Sequence, residues 1–105
     1  MTDDQALGIL VVLGDSRRFE IFRRLLDTAG LSSGELSDGK AASSTSHHLK
    51  MMQRVGLIRS VRRGKKICHV VCKETLAEFA KWAREAAENA TFAYLTDILE
   101  NSETR

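Results

Sequence analysis

Between Gly39 and Lys73 the chain carries Lys40, Lys50, Arg54, Arg59, Arg62, Arg63, Lys65, Lys66 and Lys73, all three histidines (His47, His48, His69), and no Asp or Glu. The formal charge is therefore +9 within this segment and −7 in the remainder, a split that the net charge of +2 conceals. A solvated surface accounts for most short charge runs. Here acidic residues are absent across two predicted structural elements, and asymmetry on that scale points to a face that binds a polyanion.

A length of 105 residues suits one domain, 1–105, with a single core. The N-terminus, Met1-Thr2-Asp3-Asp4, is acidic and unlike a secretory signal, and the longest apolar run, Ile9 to Leu13, falls far short of the roughly 20 residues a membrane span needs. Two cysteines without an export signal read as reduced thiols. A cytoplasmic protein with no membrane partner is expected. The chain has no proline, so no helical pattern meets an internal breaker.

Residues 3–13 place Ala6, Leu7, Leu10, Val11 and Leu13 mostly on one side of a first helix, greasy enough to need cover from the core or from a second chain. Asp15 or Ser16 caps a second helix over 16–28, with Phe19, Ile21, Phe22, Leu25 and Leu26 as its buried stripe and Arg17, Arg18, Glu20, Arg23, Arg24 and Asp27 in solvent. Ser32 and Glu35 have capping-box spacing, flanked by Leu31 and Leu36 at staple positions, and start a short third helix over 33–38. A fourth helix runs from Ser43 to Val55 and stops at Gly56. Two strands, 57–62 and 67–72, then flank a turn at Arg63-Gly64-Lys65-Lys66, the second supported by β-branched Ile67, Val70 and Val71. A long alanine-rich helix, 74–100, precedes a frayed tail. The fold class is mainly α (α+β): five helices and a two-stranded hairpin.

On the fourth helix Thr45, Leu49 and Met52 share one narrow sector, the expected buried side. Ser43, His47, Lys50 and Arg54 cluster opposite, with Ser44 at the helix start and Ser46 on the flank. Short serines let a helix approach base edges, while His, Lys and Arg reach base acceptors and phosphates. A short helix, a turn and a second helix with this face describe a helix-turn-helix over 33–56. The hairpin at 57–72 is then a wing that lies against the DNA backbone or in the minor groove through Arg62, Arg63, Lys65 and Lys66.

Ser46-His47-His48-Leu49-Lys50, followed by Gly56-Leu57-Ile58 and Arg62-Arg63-Gly64-Lys65, resembles the ArsR/SmtB winged-helix repressors of bacteria; Asp15 to Phe19 with Ile21, and Gly34-Glu35-Leu36, fit the same pattern upstream. The resemblance covers residues 5–100. It implies a homodimer on a palindromic double-stranded operator, repressing transcription until a signal releases it, with recognition helices in successive major grooves roughly 34 Å apart. It also implies dimerisation through the first and last helices, 3–13 and 74–100, placing Leu7, Leu10, Val11, Phe79, Ala83, Ala87, Ala90 and Tyr94 at the interface. Two features depart from the family pattern. The stretch from Glu35 to His48 is two residues shorter, and Thr45 stands where an aliphatic residue normally anchors the recognition helix.

The family's metal sites need Cys in the Glu35–Asp38 region or His on the last helix, and this chain has neither. Cys68 and Cys72 could serve a redox or metalloid switch. In a regular strand, however, residues four apart lie about 13 Å from one another, too far for one metal or a disulfide; both read more simply as small apolar fillers. His69 reads as a strand residue packed on the core. No catalytic constellation emerges, so neither an enzyme nor a cofactor is expected, and no inducer is named. A protein-interaction module is the rival reading. RNA binding is disfavoured because Gly39–Lys73 contains no Phe, Tyr or Trp on which bases could stack.

Overall fold

In the computed structural model, which describes residues 1–103, eight elements follow one another: α1 (Asp3–Leu13), α2 (Ser16–Asp27), β1 (Leu31–Ser32), α3 (Ser33–Ser37), α4 (Ala42–Arg54), β2 (Ile58–Arg63), β3 (Lys66–Val71) and α5 (Lys73–Glu103). The last helix runs three residues past the expected end, and Thr104 and Arg105 lie outside the described residues.

Short polar side chains set three of the helix starts. Thr2 accepts from the Gln5 amide while the Gln5 side chain accepts from the Thr2 amide, a capping box on α1. Asp15 accepts from the Arg18 amide at 3.0 Å and caps α2. Ser32 and Glu35 form the capping box their spacing predicts. The turn from α3 to α4 is made by two successive left-handed residues, Asp38 (φ 48°) and Gly39 (φ 78°), with the Lys40 amide donating to the Ser37 carbonyl at 2.9 Å. Reversing the chain in so few residues requires positive φ, which glycine adopts freely and Asp tolerates. After that tight turn α4 begins at Ala42.

The core gathers Ile9 and Val12 from α1, Ile21, Phe22 and Leu25 from α2, Leu36 from α3, Leu49 and Met52 from α4, and Leu57 and Ile58 at the start of the hairpin. One expected stripe, that of α2, is corrected; on α1, cover for Leu7, Leu10 and Val11 is expected from the core or from a second chain. On α1 the buried residues are Ala6, Ile9 and Val12, whereas Leu7, Leu10 and Val11 remain 58%, 47% and 60% exposed. On α2, Phe19 and Leu26 are exposed, and the buried set is Ile21, Phe22 and Leu25. Both helices carry more apolar residues than one face holds, so period alone could not choose between adjacent sectors.

Strands β2 and β3 pair antiparallel from Ile58↔Val71 to Arg63↔Lys66 around a Gly64-Lys65 turn. A third strand was not foreseen. The two-residue β1 joins the far edge of β3, with Leu31 opposite His69 and Ser32 opposite Cys68, giving the order β1-β3-β2. It ties the entry to α3 onto the wing.

Thr45 is fully buried, and its hydroxyl donates to the Ala41 carbonyl one turn back at 3.4 Å. It thus fills the aliphatic anchor position while its polar atom is satisfied by its own helix. We predict that Thr45→Val leaves the unfolding free energy within about 1 kcal/mol of the parent. Equilibrium urea unfolding measures it, and a loss of several kcal/mol would show that the hydroxyl has a further partner.

Candidate nucleic-acid interface

Helix α4 separates its faces as its periodicity predicts. Thr45, Leu49 and Met52 are buried, while Ser43, Ser44, Ser46, His47, Lys50 and Arg54 are exposed. Its cap residue, Ala41, makes no side-chain hydrogen bond to the first turn, and that turn holds no acid. The opening amides and the positive end of the helix dipole therefore face outward beside Ser43 and Ser44, an arrangement that favours an anion.

Arginines of α2 expected in solvent tie both α4 and α3 to the rest of the fold. Arg18 donates through Nε to the Val12 carbonyl at 2.6 Å, at the end of α1. Its Nη1 reaches His48 Nδ1 at 3.2 Å and Met51 Sδ at 3.5 Å, both on α4. Arg17 donates to the Leu36 and Ser37 carbonyls at 2.5 and 3.2 Å, and Arg24 to the Glu35 carbonyl at 3.1 Å, so two cations cap the C-terminal end of α3. Arg17 also pairs with Glu20 at 3.2 Å. These arginines are structural parts of the helix-turn-helix. No residue spacing announced them, because an arginine long enough to snorkel from a helix looks the same in sequence whether it ends in water or on a carbonyl.

The wing is bound to α4 by the Gln53 side chain, which donates to Ser60 Oγ at 2.8 Å, and by the Leu57 amide, which donates to the Met52 carbonyl at 3.1 Å. Cross-strand partners share a face of the sheet. The register therefore puts Ser60 and Arg62 on the face that meets α4, with Ile67 and His69, and puts Arg59, Arg63 and Lys66 on the reverse face. Arg63 lies over Gly30 (φ 82°), where an added Cβ would collide with its guanidinium. The Glu35 carboxyl is held below its ordinary range first by the Ser32 hydroxyl, then by the Ser32 amide, with a smaller contribution from nearby Lys66. The wing's basic residues, all exposed, are thus divided between two faces and do not form one uniform tip. Among the described residues the ion pairs are Arg17–Glu20 and Arg23–Asp27, both outside Gly39–Lys73. The segment's positive charge is left unneutralised by ion pairing.

Residues 13–61 match a family described as a helix-turn-helix domain. The chain is 35% identical over 75 residues to the HTH-type transcriptional regulator YgaV of Escherichia coli (strain K12), an alignment covering 70% of this chain and 76% of that one. It superposes on an ArsR-like transcriptional regulator from Rhodococcus sp. RHA1 with a TM-score of 0.75 and 25% identity, over 90% of this chain and 92% of the other. The chain belongs to the ArsR-type winged helix-turn-helix family of transcriptional regulators. The same fold is found in the homodimeric winged helix-turn-helix DNA-binding domain of Mb0332 from Mycobacterium bovis, at a TM-score of 0.64 and 19% identity, over 86% and 91% of the two chains.

Within the ArsR-type fold β2–β3 is the hairpin wing. Cys68 is buried and Cys72 half-buried at the start of α5, where its Sγ lies 3.8 Å from a Glu74 carboxylate oxygen; neither is in a disulfide. His69 is buried, with Nε2 3.1 Å from Ser33 Oγ and Nδ1 without a hydrogen-bond partner. Among the described residues no three of His, Cys, Asp and Glu gather where they could hold a metal ion, and no helix is long and apolar enough to cross a membrane.

Arg18 can only donate, so its contact with His48 requires a lone pair on Nδ1, and the ring is neutral with its proton on Nε2. Burial pushes the His48 pKa below its ordinary 6.5, outweighing the opposing pull of the Asp15 carboxylate. Burial lowers His69 as well. A histidine depressed in the folded state takes up its proton more readily when unfolded, so stability is full above about pH 6.5 and is lost as pH falls through the folded-state values. Urea unfolding at pH 7.5 and 5.5 should show the parent losing stability on acidification and His48→Gln losing less. Equal losses in the two proteins would remove His48 from the account.

Proposed function

We propose that this protein is a sequence-specific double-stranded DNA-binding repressor that works as a homodimer on a palindromic operator, in the cytoplasm, through the single unit 1–105. The observation that carries the reading is the unpaired positive segment, spread over the exposed face of α4 and the adjoining hairpin. Ser43, Ser44, Ser46 and His47 take the base edges of a major groove, while Lys50, Arg54 and the wing residues Arg62, Arg63, Lys65 and Lys66 take phosphates. Exposed Leu7, Leu10 and Val11 on α1, with Phe79, Ala83, Ala87, Ala90 and Tyr94 on α5, supply the face that a second copy covers. The Mycobacterium bovis domain, alike in fold, is described as a homodimer.

Sites selected from random duplex DNA provide the probe. Affinity for a selected site should fall by roughly 10³ to 10⁵ between 50 and 200 mM salt if six to ten phosphates are neutralised. Lys65→Glu with Lys66→Glu should weaken binding to selected and random duplex alike, since phosphate contacts carry no sequence. A flat salt response, or no preference for any selected site over random duplex, would end the reading.

A further inference from the structure

Helix α1, the end of α4 and the start of α5 leave a cleft of about 410 Å³ between them. That size falls within the roughly 300–1,000 Å³ common for small-molecule sites. Its floor is apolar, formed by buried Ile9 with half-buried Met1 and Val55. Charged groups stand around it: the Asp4 carboxylate on α1, the Glu78 carboxylate on α5 and the Arg54 guanidinium on α4, all exposed.

These charges are not used within the chain. The ion pairs among the described residues are Arg17–Glu20 and Arg23–Asp27, and Asp4, Arg54 and Glu78 belong to neither. Opposite charges that border one cavity without pairing are held apart across it. A lone anion there would be repelled by Asp4 and Glu78, and a lone cation by Arg54. A molecule that carries both charges satisfies all three groups, and an apolar body on it would cover the floor.

A neighbouring cavity of about 500 Å³ shares Asp4 and Arg54 but is walled by Leu7, Val11 and Met51. Leu7 and Val11 belong to the face assigned above to a second copy, so assembly would cover that cavity. No residue assigned to that face lines the first cleft, and its occupancy is independent of the proposed homodimer.

We infer that this cleft binds a small amino acid with an apolar side chain, its carboxylate on Arg54, its ammonium between Asp4 and Glu78, and its side chain on Met1, Ile9 and Val55. A single exposed ion pair contributes little, so affinity comes from joining both charges and an apolar body in one molecule. Arg54 alone belongs both to this cleft and to the set proposed to face DNA. A guanidinium engaged by a ligand carboxylate is withdrawn from phosphate, so amino acid and duplex compete for it and the bound molecule acts as an inducer. That competition rests on the DNA-binding reading, whereas occupancy of the cleft does not.

Calorimetric titration of the full chain without DNA tests the binding step. Among L-alanine, L-valine, L-leucine, L-methionine and L-phenylalanine, at least one should bind with a Kd below about 1 mM. The amide of that amino acid, which lacks the carboxylate, and its deaminated acid, which lacks the ammonium, should each bind about tenfold or more weakly. Arg54→Gln, and Asp4→Asn with Glu78→Gln, should weaken the intact amino acid by about the same factor. On selected duplex DNA, saturating amino acid should reduce the salt slope of the parent by about one unit per protomer. The Asp4→Asn, Glu78→Gln protein should keep the unliganded DNA affinity within about threefold and show no such response. The assignment is overturned if none of these amino acids binds, if the amide and the deaminated acid bind as tightly as the amino acid, or if Arg54→Gln binds it undiminished. A protein that binds the amino acid but prefers no selected duplex defeats the DNA-binding reading and leaves the cleft standing. One that binds both without a change in salt slope overturns the competition at Arg54.

Discussion

The guanidinium of Arg18 sits where three helices converge. It binds the last turn of α1 through the Val12 carbonyl, belongs to α2, and reaches two side chains of α4. Helix α4 needs this support because its outward face has nothing to pack on. Ser43, Ser44, Ser46, His47, Lys50 and Arg54 contribute no core contact, and Ala41 gives the first turn no side-chain cap. Burial of Thr45, Leu49 and Met52 holds the helix against the core, but three buried residues in one sector leave its rotation and sliding to be set by other contacts. Directional bonds from Arg18 to His48, and from Gln53 to Ser60, set the angle at which the polar face is presented. Charge-assisted bonds to carbonyls are among the stronger hydrogen bonds, which suits a scaffold whose working face is left to solvent.

The same logic explains how the helix-turn-helix keeps its geometry. Asp38 and Gly39 turn the chain in a left-handed pair, and Arg17 and Arg24 take up carbonyls that end α3. A five-residue helix has almost no bonds of its own to lose and would fray without them. Its capping box on one side and two arginines on the other satisfy both ends. Thr45 then completes the arrangement, presenting a methyl group to the core while its hydroxyl returns to the helix backbone.

These contrasts show which features were readable from residues alone. Cap-and-stop chemistry is local, so the Ser32/Glu35 box, the stop at Gly56 and the hairpin turn at Gly64-Lys65 could be placed within a residue or two. The α4 periodicity was decisive because its polar and apolar residues are sharply divided. On α1 there was no such contrast: eight of eleven residues are apolar or glycine, and the choice of Ile9 and Val12 over Leu10 and Val11 was made by packing against α2 and α4. Phe19 and Leu26 misled for the same reason on α2. Strand β1 escaped notice because two residues carry no period, and it exists only where Leu31 and Ser32 meet the edge of β3. The basic surface could be read at the level of charge, but its division between two sides of the hairpin depended on register, which only the paired strands reveal.

That division bears on how the wing works. Arg62, on the face shared with Ser60, continues the surface begun by α4, while Arg63 turns away to lie over Gly30 and Lys66 sits within electrostatic reach of Glu35. In the free protein some of the hairpin's positive charge is thus turned toward the chain itself, with Lys66 near Glu35. A duplex offering phosphates along one side would compete for those side chains. A long, flexible side chain can change its partner without moving the strand that bears it, so the hairpin can stay anchored through Gln53 and Leu57 while its cations are reassigned. On the proposed reading the positive segment would meet two sets of anions, one intramolecular and weak, the other a polyphosphate, and the much higher charge density of the second would decide the competition.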